Sequence, residues 1–262
     1  MNNNILNIPL KIHHSPVENI IAESVRCQGS RPYQEDSFGF SSEHKNAVEK
    51  YGFAAVLGDG MGGLADGAQA SRNFVSSMLE MHRSRDLQLP AHIFLKQSLR
   101  AINGQYTSSG AKGGTTAVTV LCLETGIYWC TLGDSRAYLF RNGILTALSE
   151  DTDHLNTLLC GVIRGTLTVS EVLADPRKDS LEQYIGYRGN ISPDGNIRPL
   201  IPEKGDRLLI CSDGVYNAVN GKGICSAMTA PIGETAERLK EMVLAAELAN
   251  QDNFTALILS FS

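Results

Sequence analysis

Four aspartates stand at the ends of apolar runs. Asp59 closes the run 53–57 inside Gly58-Asp59-Gly60-Met61-Gly62-Gly63, and Asp213 closes 206–211 in Ser212-Asp213-Gly214. Asp36 precedes the run 37–40, and Asp252 precedes 254–261 in Gln251-Asp252-Asn253. Each has a small or amide neighbour: Ser37, Gly60, Gly214 or Asn253. Carboxylates beside bare carbonyls, with no His or Cys among them, suit Mg²⁺ or Mn²⁺ rather than zinc or copper. Several carboxylates converging on one cleft would repel one another without cations. Two metals sharing a bridging carboxylate can activate a water and hold phosphoryl oxygens. One aspartate at a strand end reads as a turn or cap residue; its repetition at four strand boundaries carries the metal reading. Arg31, five residues before Asp36, is either a solvated loop arginine or a bidentate clamp on a phosphate. Glu35 could hydrogen-bond a metal's water.

The elements that must position these residues follow from periodicity. Residues 19–25, 37–40 and 53–57 read as strands, and the charged stretch 43–50 reads as a turn. Asp66 is a candidate N-cap for a helix over 67–83, and 91–106 repeats the helical spacing. Four short runs, 117–123, 127–132, 136–140 and 144–148, are joined by tight turns that include Asn142-Gly143, and read as an antiparallel meander. A mixed, polar stretch at about 151–188 reads as a small helical insertion. A strand over 206–211, a helix over about 234–249 and a final strand over 254–261 complete the chain. Strands cluster, helices come in pairs and no βαβ alternation appears, which favours an α+β layered fold with antiparallel sheets.

Composition sets the frame. The chain has 262 residues, is 42% hydrophobic and 19% charged, and carries a net charge of -5 without a long run of one sign. Nucleic acid and anionic membrane are thereby disfavoured as main partners. No apolar stretch reaches the length of a membrane span and residues 1–16 lack a signal-peptide core, so a cytoplasmic protein is expected. The six cysteines form no C-x-x-C pair and read as free thiols. Gly58-x-Gly60-x-x-Gly63 formally fits a dinucleotide fingerprint, but Asp59 would oppose the pyrophosphate and Glu80 falls inside a helical pattern.

In order along residues 19–261, Arg31-x-x-x-Glu35-Asp36, Gly58-Asp59-Gly60-Met61-Gly62-Gly63, Gly113-Gly114-Thr115-Thr116, Gly133-Asp134-Ser135-Arg136, Ser212-Asp213-Gly214 and Gln251-Asp252-Asn253 resemble the motif set of the PP2C-like (PPM) protein serine/threonine phosphatases, in the bacterial form with Met61 after Asp-Gly. The resemblance implies a four-layer α-β-β-α sandwich with a central antiparallel β-sandwich, formed by a single domain over 19–262 behind a flexible segment 1–18. It also implies two Mn²⁺ or Mg²⁺ ions. Asp59 would bridge both and the Gly60 carbonyl would bind one, Asp213 and Asp252 would hold the other, and Asp36 would act through water. Arg31 would bind the substrate phosphate, and a metal-bridging water would attack phosphoserine or phosphothreonine directly. The family's weaker third metal falls on Asp151-Thr152-Asp153-His154, where Asp153, directly before His154, is preferred to Asp151. Methionine at 61 cannot donate a proton to the leaving oxygen, so no protein acid is assigned. The expected partners are phosphorylated proteins made by a Ser/Thr kinase, met by a monomer. The alternative is a catalytically silent relative that binds phosphoproteins, which the complete set of carboxylates and Arg31 argues against.

Overall fold

The computed structural model describes residues 10–11, 20–41, 45–62, 65–178 and 180–262. Apart from 10–11, the segment expected to be flexible lies outside these residues, as does Gly63. In chain order the elements are β1 (Leu10–Lys11), β2 (Ile20–Cys27), β3 (Ser37–Phe40), α1 (Lys45–Tyr51), β4 (Phe53–Gly58), β5 (Gly60–Met61), α2 (Ala65–Arg83), α3 (Ala91–Ser108), β6 (Gly114–Thr115), β7 (Ala117–Leu123), β8 (Gly126–Leu132), β9 (Arg136–Arg141), β10 (Ile144–Ala147), α4 (His154–Ile163), α5 (Val169–Ala174), β11 (Asp194–Gly195), β12 (Arg207–Cys211), α6 (Asp213–Tyr216), α7 (Gly221–Ala227), α8 (Thr235–Ala245) and β13 (Phe254–Phe261).

Two antiparallel sheets, ordered β1-β2-β13-β12-β9-β10 and β11-β8-β7-β4-β3, face each other. The side-chain pattern sorts each central strand onto two cores. In β13, Phe254, Ala256 and Ile258 pack toward α6, α7 and α8, while Leu257, Leu259 and Phe261 pack between the sheets. In β4, Ala54 and Val56 meet α2 and α3, while Phe53, Ala55 and Leu57 enter the inter-sheet core. This period of two, buried on both faces, makes four layers with three apolar seams. Each fully buried Leu, Ile or Phe adds about 1.5–3 kcal/mol. The α+β sandwich expected from the motif set is the observed architecture. Among the described residues no helix is long and apolar enough to cross a membrane.

Antiparallel pairing explains why distant aspartates share one end of the sandwich. Ser37 pairs with Gly58, so the residue before β3 and the residue after β4, Asp36 and Asp59, emerge at the same edge. Cys211 pairs with Ala256, which brings the end of β12 beside the start of β13 and hence Asp213 near Asp252. Phe254 pairs with Cys27, drawing the loop that carries Arg31 to the same end.

Several sequence expectations need correction. The stretch 43–50 is not a turn over its described part: α1 forms because Val48, 2% exposed, anchors in the inter-sheet core while Glu49 and Lys50 stay exposed. Asp66 lies within the first turn of α2 rather than capping it. The four strands β7 to β10 are not one meander. β7 and β8 belong to one sheet and β9 and β10 to the other, and the chain changes sheets at Gly133. Gly133 has φ 100, and a Cβ there would lie 2.8 Å from the Thr116 side chain, so the crossing needs glycine. Asp213 opens the short helix α6 rather than ending a strand, and the last long helix stops at Ala245. Four of the cysteines are buried, and burial pushes the Cys130 and Cys211 thiols up to about 12, so they are inert core residues at neutral pH.

Candidate active site

The end of the sandwich where the four aspartates emerge holds a cleft of about 350 Å³, lined by Arg31, Glu35, Asp59, Gly60, Met61, Gly62, Thr116, Asp134, Leu181, Asp213, Asp252 and Asn253. Asp59 is fixed through its backbone. Its N–H donates to Thr116 Oγ1 at 2.9 Å, and its carbonyl accepts from the Thr116 N–H at 2.9 Å. Thr116 Oγ1 also meets Ser135 Oγ at 2.7 Å, which links the Gly-Gly-Thr-Thr and Gly-Asp-Ser motifs. Asp36 lies just behind the cleft, 1% exposed. Its Oδ2 accepts from Ser212 Oγ at 2.8 Å and Thr255 Oγ1 at 2.7 Å. Its Oδ1 is buried without a protein partner.

Asn253 ties the Arg31 loop down. Its Nδ2 donates to the carbonyls of Gln28 (2.7 Å) and Tyr33 (3.0 Å), and its Oδ1 accepts from the Glu35 N–H at 2.7 Å. Ser71 of α2 donates to the Glu35 carbonyl from the other side. Arg31 reaches across the rim, its Nη2 2.6 Å from Asp252 Oδ2. Its side chain is 52% exposed, so this pair is weak and can exchange for another anion.

The electrostatics of the cleft run in one direction. Burial pushes Asp59 well above the usual carboxylate range, and Asp36, Asp213, Asp134 and Asp252 push it further. Burial raises Asp36 to about 6 against the pull of its Thr255 and Ser212 hydrogen bonds. Asp213 rises to about 6 through burial, then Asp252 and Asp36, with Arg31 opposing. Asp134 rises to about 7 through burial, then Asp213 and Asp151. Glu35 is raised by burial, and its Oε1 is buried without a partner. Among the described residues no three acidic, His or Cys side chains are arranged as a ready ion cage. The cluster still fits a hard divalent cation. All its donors are oxygens, two of them are buried orphans, and a positive charge would offset the burial and the mutual repulsion that raise Asp36, Asp59, Asp134 and Asp213.

The sequence-derived residues therefore divide. Arg31, Glu35, Asp59, Gly60, Asp213 and Asp252 line one cleft, with Asp36 beneath it. Asp153 does not line it. It caps α4, accepting from the Asn156 N–H at 2.8 Å, and lines a neighbouring cavity with Asp151 and Glu182. Asp151 is engaged by the Arg136 guanidinium at 2.6–3.1 Å, which leaves Asp153 the less committed of the two carboxylates. Sequence reasoning missed Asp134, although Gly-Asp-Ser between two strands repeats the strand-end signature of the other aspartates. It also missed Asn253 as the fastening of the loop, for which adjacency to Asp252 gave no signal.

This arrangement of fold and cleft has counterparts. The family model "Protein phosphatase 2C" matches residues 22–158, about half of the chain. A Streptococcus pyogenes protein named as a putative protein phosphatase 2C-type is 30% identical over 208 residues, spanning 76% of this chain and 82% of its own. The Mycobacterium tuberculosis serine/threonine protein phosphatase PstP is 30% identical over 210 residues, covering 78% of this chain but only 39% of that longer relative. A crystal structure of the catalytic domain of PstP in complex with two manganese ions superposes with a TM-score of 0.69 at 26% identity, covering 92% of this chain and 97% of that one. The chain belongs to the protein phosphatase 2C family. Its activity at the level of that family is serine/threonine protein phosphatase activity.

Proposed function

We propose that residues 19–262 act as a single metal-dependent phosphatase domain that hydrolyses phosphoserine and phosphothreonine in proteins at the Asp59 cleft. The observation that most supports this reading is the meeting of Asp36, Asp59, Asp213, Asp252 and Arg31, from four separate chain segments, at one end of the sandwich. Asp59, the Gly60 carbonyl, Asp213 and Asp252 would hold two Mn²⁺ or Mg²⁺ ions, with Asp36 behind them and Asp153 near a weaker third. Bound there, the ions would supply Lewis acidity toward phosphoryl oxygens and lower the pKa of water.

The protein's own groups do the rest. Arg31 carries five N–H donors and uses one on Asp252, so its fork can turn to a phosphate at the rim. Asn253 and Ser71 hold the Glu35 backbone, and Glu35, which lines the cleft, carries a carboxylate that can accept a proton or a hydrogen bond. Met61 shapes the wall and donates nothing. The substrates are phosphoproteins made by a Ser/Thr kinase, met by a cytoplasmic monomer.

The test is hydrolysis of p-nitrophenyl phosphate and a phosphothreonine peptide by chelator-stripped protein, with and without Mn²⁺ or Mg²⁺. Turnover is expected only with metal. Folded protein inactive with every divalent metal would instead support a phosphoprotein-binding relative. Replacing Arg31 by Ala removes a charged hydrogen-bond donor, an interaction of about 1.5–3 kcal/mol. If the clamp binds ground and transition states alike, KM for phosphate esters rises about ten- to a hundredfold with a smaller fall in kcat. Steady-state kinetics would reject the clamp if KM were unchanged.

A further inference from the structure

A second cavity, of about 340 Å³, shares no lining residue with the cleft. One wall is the consecutive run 37–41, and the other is Arg72, Val75, Ser76, Leu79 and Arg83 of α2. Alternate residues of a strand point to opposite faces, so a cavity touching five in a row runs along the strand's edge. β3 is the last strand of its sheet and pairs only with β4 among the described strands. In antiparallel pairing, alternate residues of an edge strand direct their N–H and C=O groups outward, where a further strand can join. The helical wall spans residues 72–83, roughly 16 Å at 1.5 Å per residue, which is the length of about five extended residues.

The chemistry of the walls selects the occupant. Phe38, Phe40, Val75 and Leu79 give an apolar lining, and the polar positions are serines and three arginines, Arg26, Arg72 and Arg83, with no Asp or Glu. Among the described residues the hydrogen bonds of the three guanidinium groups go to neutral oxygens: Arg26 Nη1 to the Asp36 carbonyl at 3.4 Å, Arg72 Nη2 to Gln69 Oε1 at 3.3 Å, and Arg83 Nε to the Leu79 carbonyl at 3.2 Å, while Arg26 also lies over the Phe38 ring. Arg26 Nε is buried with no hydrogen-bond partner among the described residues. In a chain of net charge -5 these three cations form a local basic cluster whose cavity lining holds no carboxylate, the buried Asp36 lying behind Arg26. A groove between a free strand edge and a helix, with an apolar floor and cationic rims, matches one mode of peptide recognition. Main-chain pairing supplies affinity, and alternate side chains supply specificity.

We propose that this groove docks an extended acidic peptide segment of a partner protein, added as a strand to β3, with its anionic side chains on Arg26, Arg72 and Arg83 and its apolar ones against α2. This goes beyond the phosphatase reading and does not rest on the metal site, because binding is measured without turnover.

The test selects short random peptides from a display library against the metal-loaded full chain. The most enriched peptides are then measured by fluorescence anisotropy against the parent protein and against the Arg72→Glu/Arg83→Glu double variant. The same peptides are measured with alternate backbone amides N-methylated in either phase, and, on chelator-stripped protein so that no turnover occurs, with phosphoserine in place of glutamate. The expected result is an enrichment of acidic side chains alternating with apolar ones. Binding to the double variant should weaken by at least about tenfold, one phase of N-methylation should abolish binding, and p-nitrophenyl phosphate turnover by the double variant should stay unchanged. A preference between glutamate and phosphoserine that depends on Arg72 and Arg83 supports the groove and identifies the anion. Selected peptides without acidic bias, equal binding to the double variant, or indifference to both phases of N-methylation would overturn the proposal.

Discussion

Asp213→Asn is expected to cost about a thousandfold or more in metal-dependent phosphate-ester hydrolysis while leaving the metal-free protein at least as stable as the parent. The two halves of this result have one cause. Asp213 sits among Asp252, Asp36 and Asp134, and its carboxyl is raised to about 6, so at neutral pH its charge is held against burial and against its neighbours. A neutral amide of the same shape relieves that cost, of the order of 1–3 kcal/mol from the size of the shift. It can keep the contact with Asn217, whose Nδ2 lies 3.2 Å from Asp213 Oδ2. The same substitution removes an anionic oxygen donor from the cation site proposed above. The several kcal/mol of charge stabilisation that metals contribute correspond to about three decades of rate. Thermal unfolding with chelator and with saturating Mn²⁺ separates the two effects. The parent should gain stability on adding metal, and the variant should gain much less from a start at or above the parent's midpoint. Asp59→Asn should behave alike, since the raised pKa of Asp59 has the same origin. A variant that kept full turnover, or the parent's whole metal-induced shift, would remove Asp213 from the ligand set.

How much of this was legible before the fold was known depends on the range of the interaction. The strand β13 could be read to its ends, because six of its eight residues are apolar, with Phe254 and Phe261 at the two ends. The aspartates could be found because glycine, serine or asparagine beside a carboxylate at a strand boundary is a local pattern. The convergence of those aspartates needed the sheet pairing, and it came from the ordered motifs rather than from any one of them. What stayed hidden is either tertiary or too short to show a period. Among the described side chains of α1, Val48 is the apolar one buried, and its burial belongs to the inter-sheet core and not to its neighbours in sequence. The change of sheet at Gly133 looks like any tight turn along the chain. The bonds from Asn253 to Gln28, Tyr33 and Glu35 join residues more than two hundred positions apart. The pairing of Arg31 with Asp252 is equally remote, and it shows that the expected phosphate clamp and an expected metal ligand are neighbours.

Gly60→Ala is the second large effect, and it tests geometry rather than charge. A Cβ on Gly60 would stand 2.3 Å from the Gly67 carbonyl oxygen and 2.6 Å from the Glu35 carbonyl oxygen. Both obstacles are backbone, so neither can rotate away. Relief requires the first turn of α2 or the Glu35–Asp36 segment to move by about an ångström, at an overpacking cost of roughly 1–3 kcal/mol. Either motion spoils the cleft, because Gly67 abuts Glu35 and the Glu35 backbone is held by Ser71 and Asn253. Misplacement on that scale is worth about a hundredfold in rate. The expected result is therefore a loss of at least that size in kcat/KM together with a lowered Tm. Gly104→Ala provides the contrast within the same molecule. It lies on α3 with nothing within 4 Å of its would-be Cβ, so the added methyl should stabilise the helix by about 0.5–1 kcal/mol and leave turnover unchanged. Equal losses at both glycines would show that the enzyme is merely intolerant of substitution. Full activity in Gly60→Ala would show that the close approach of β5, α2 and the Glu35 segment is not what shapes the site.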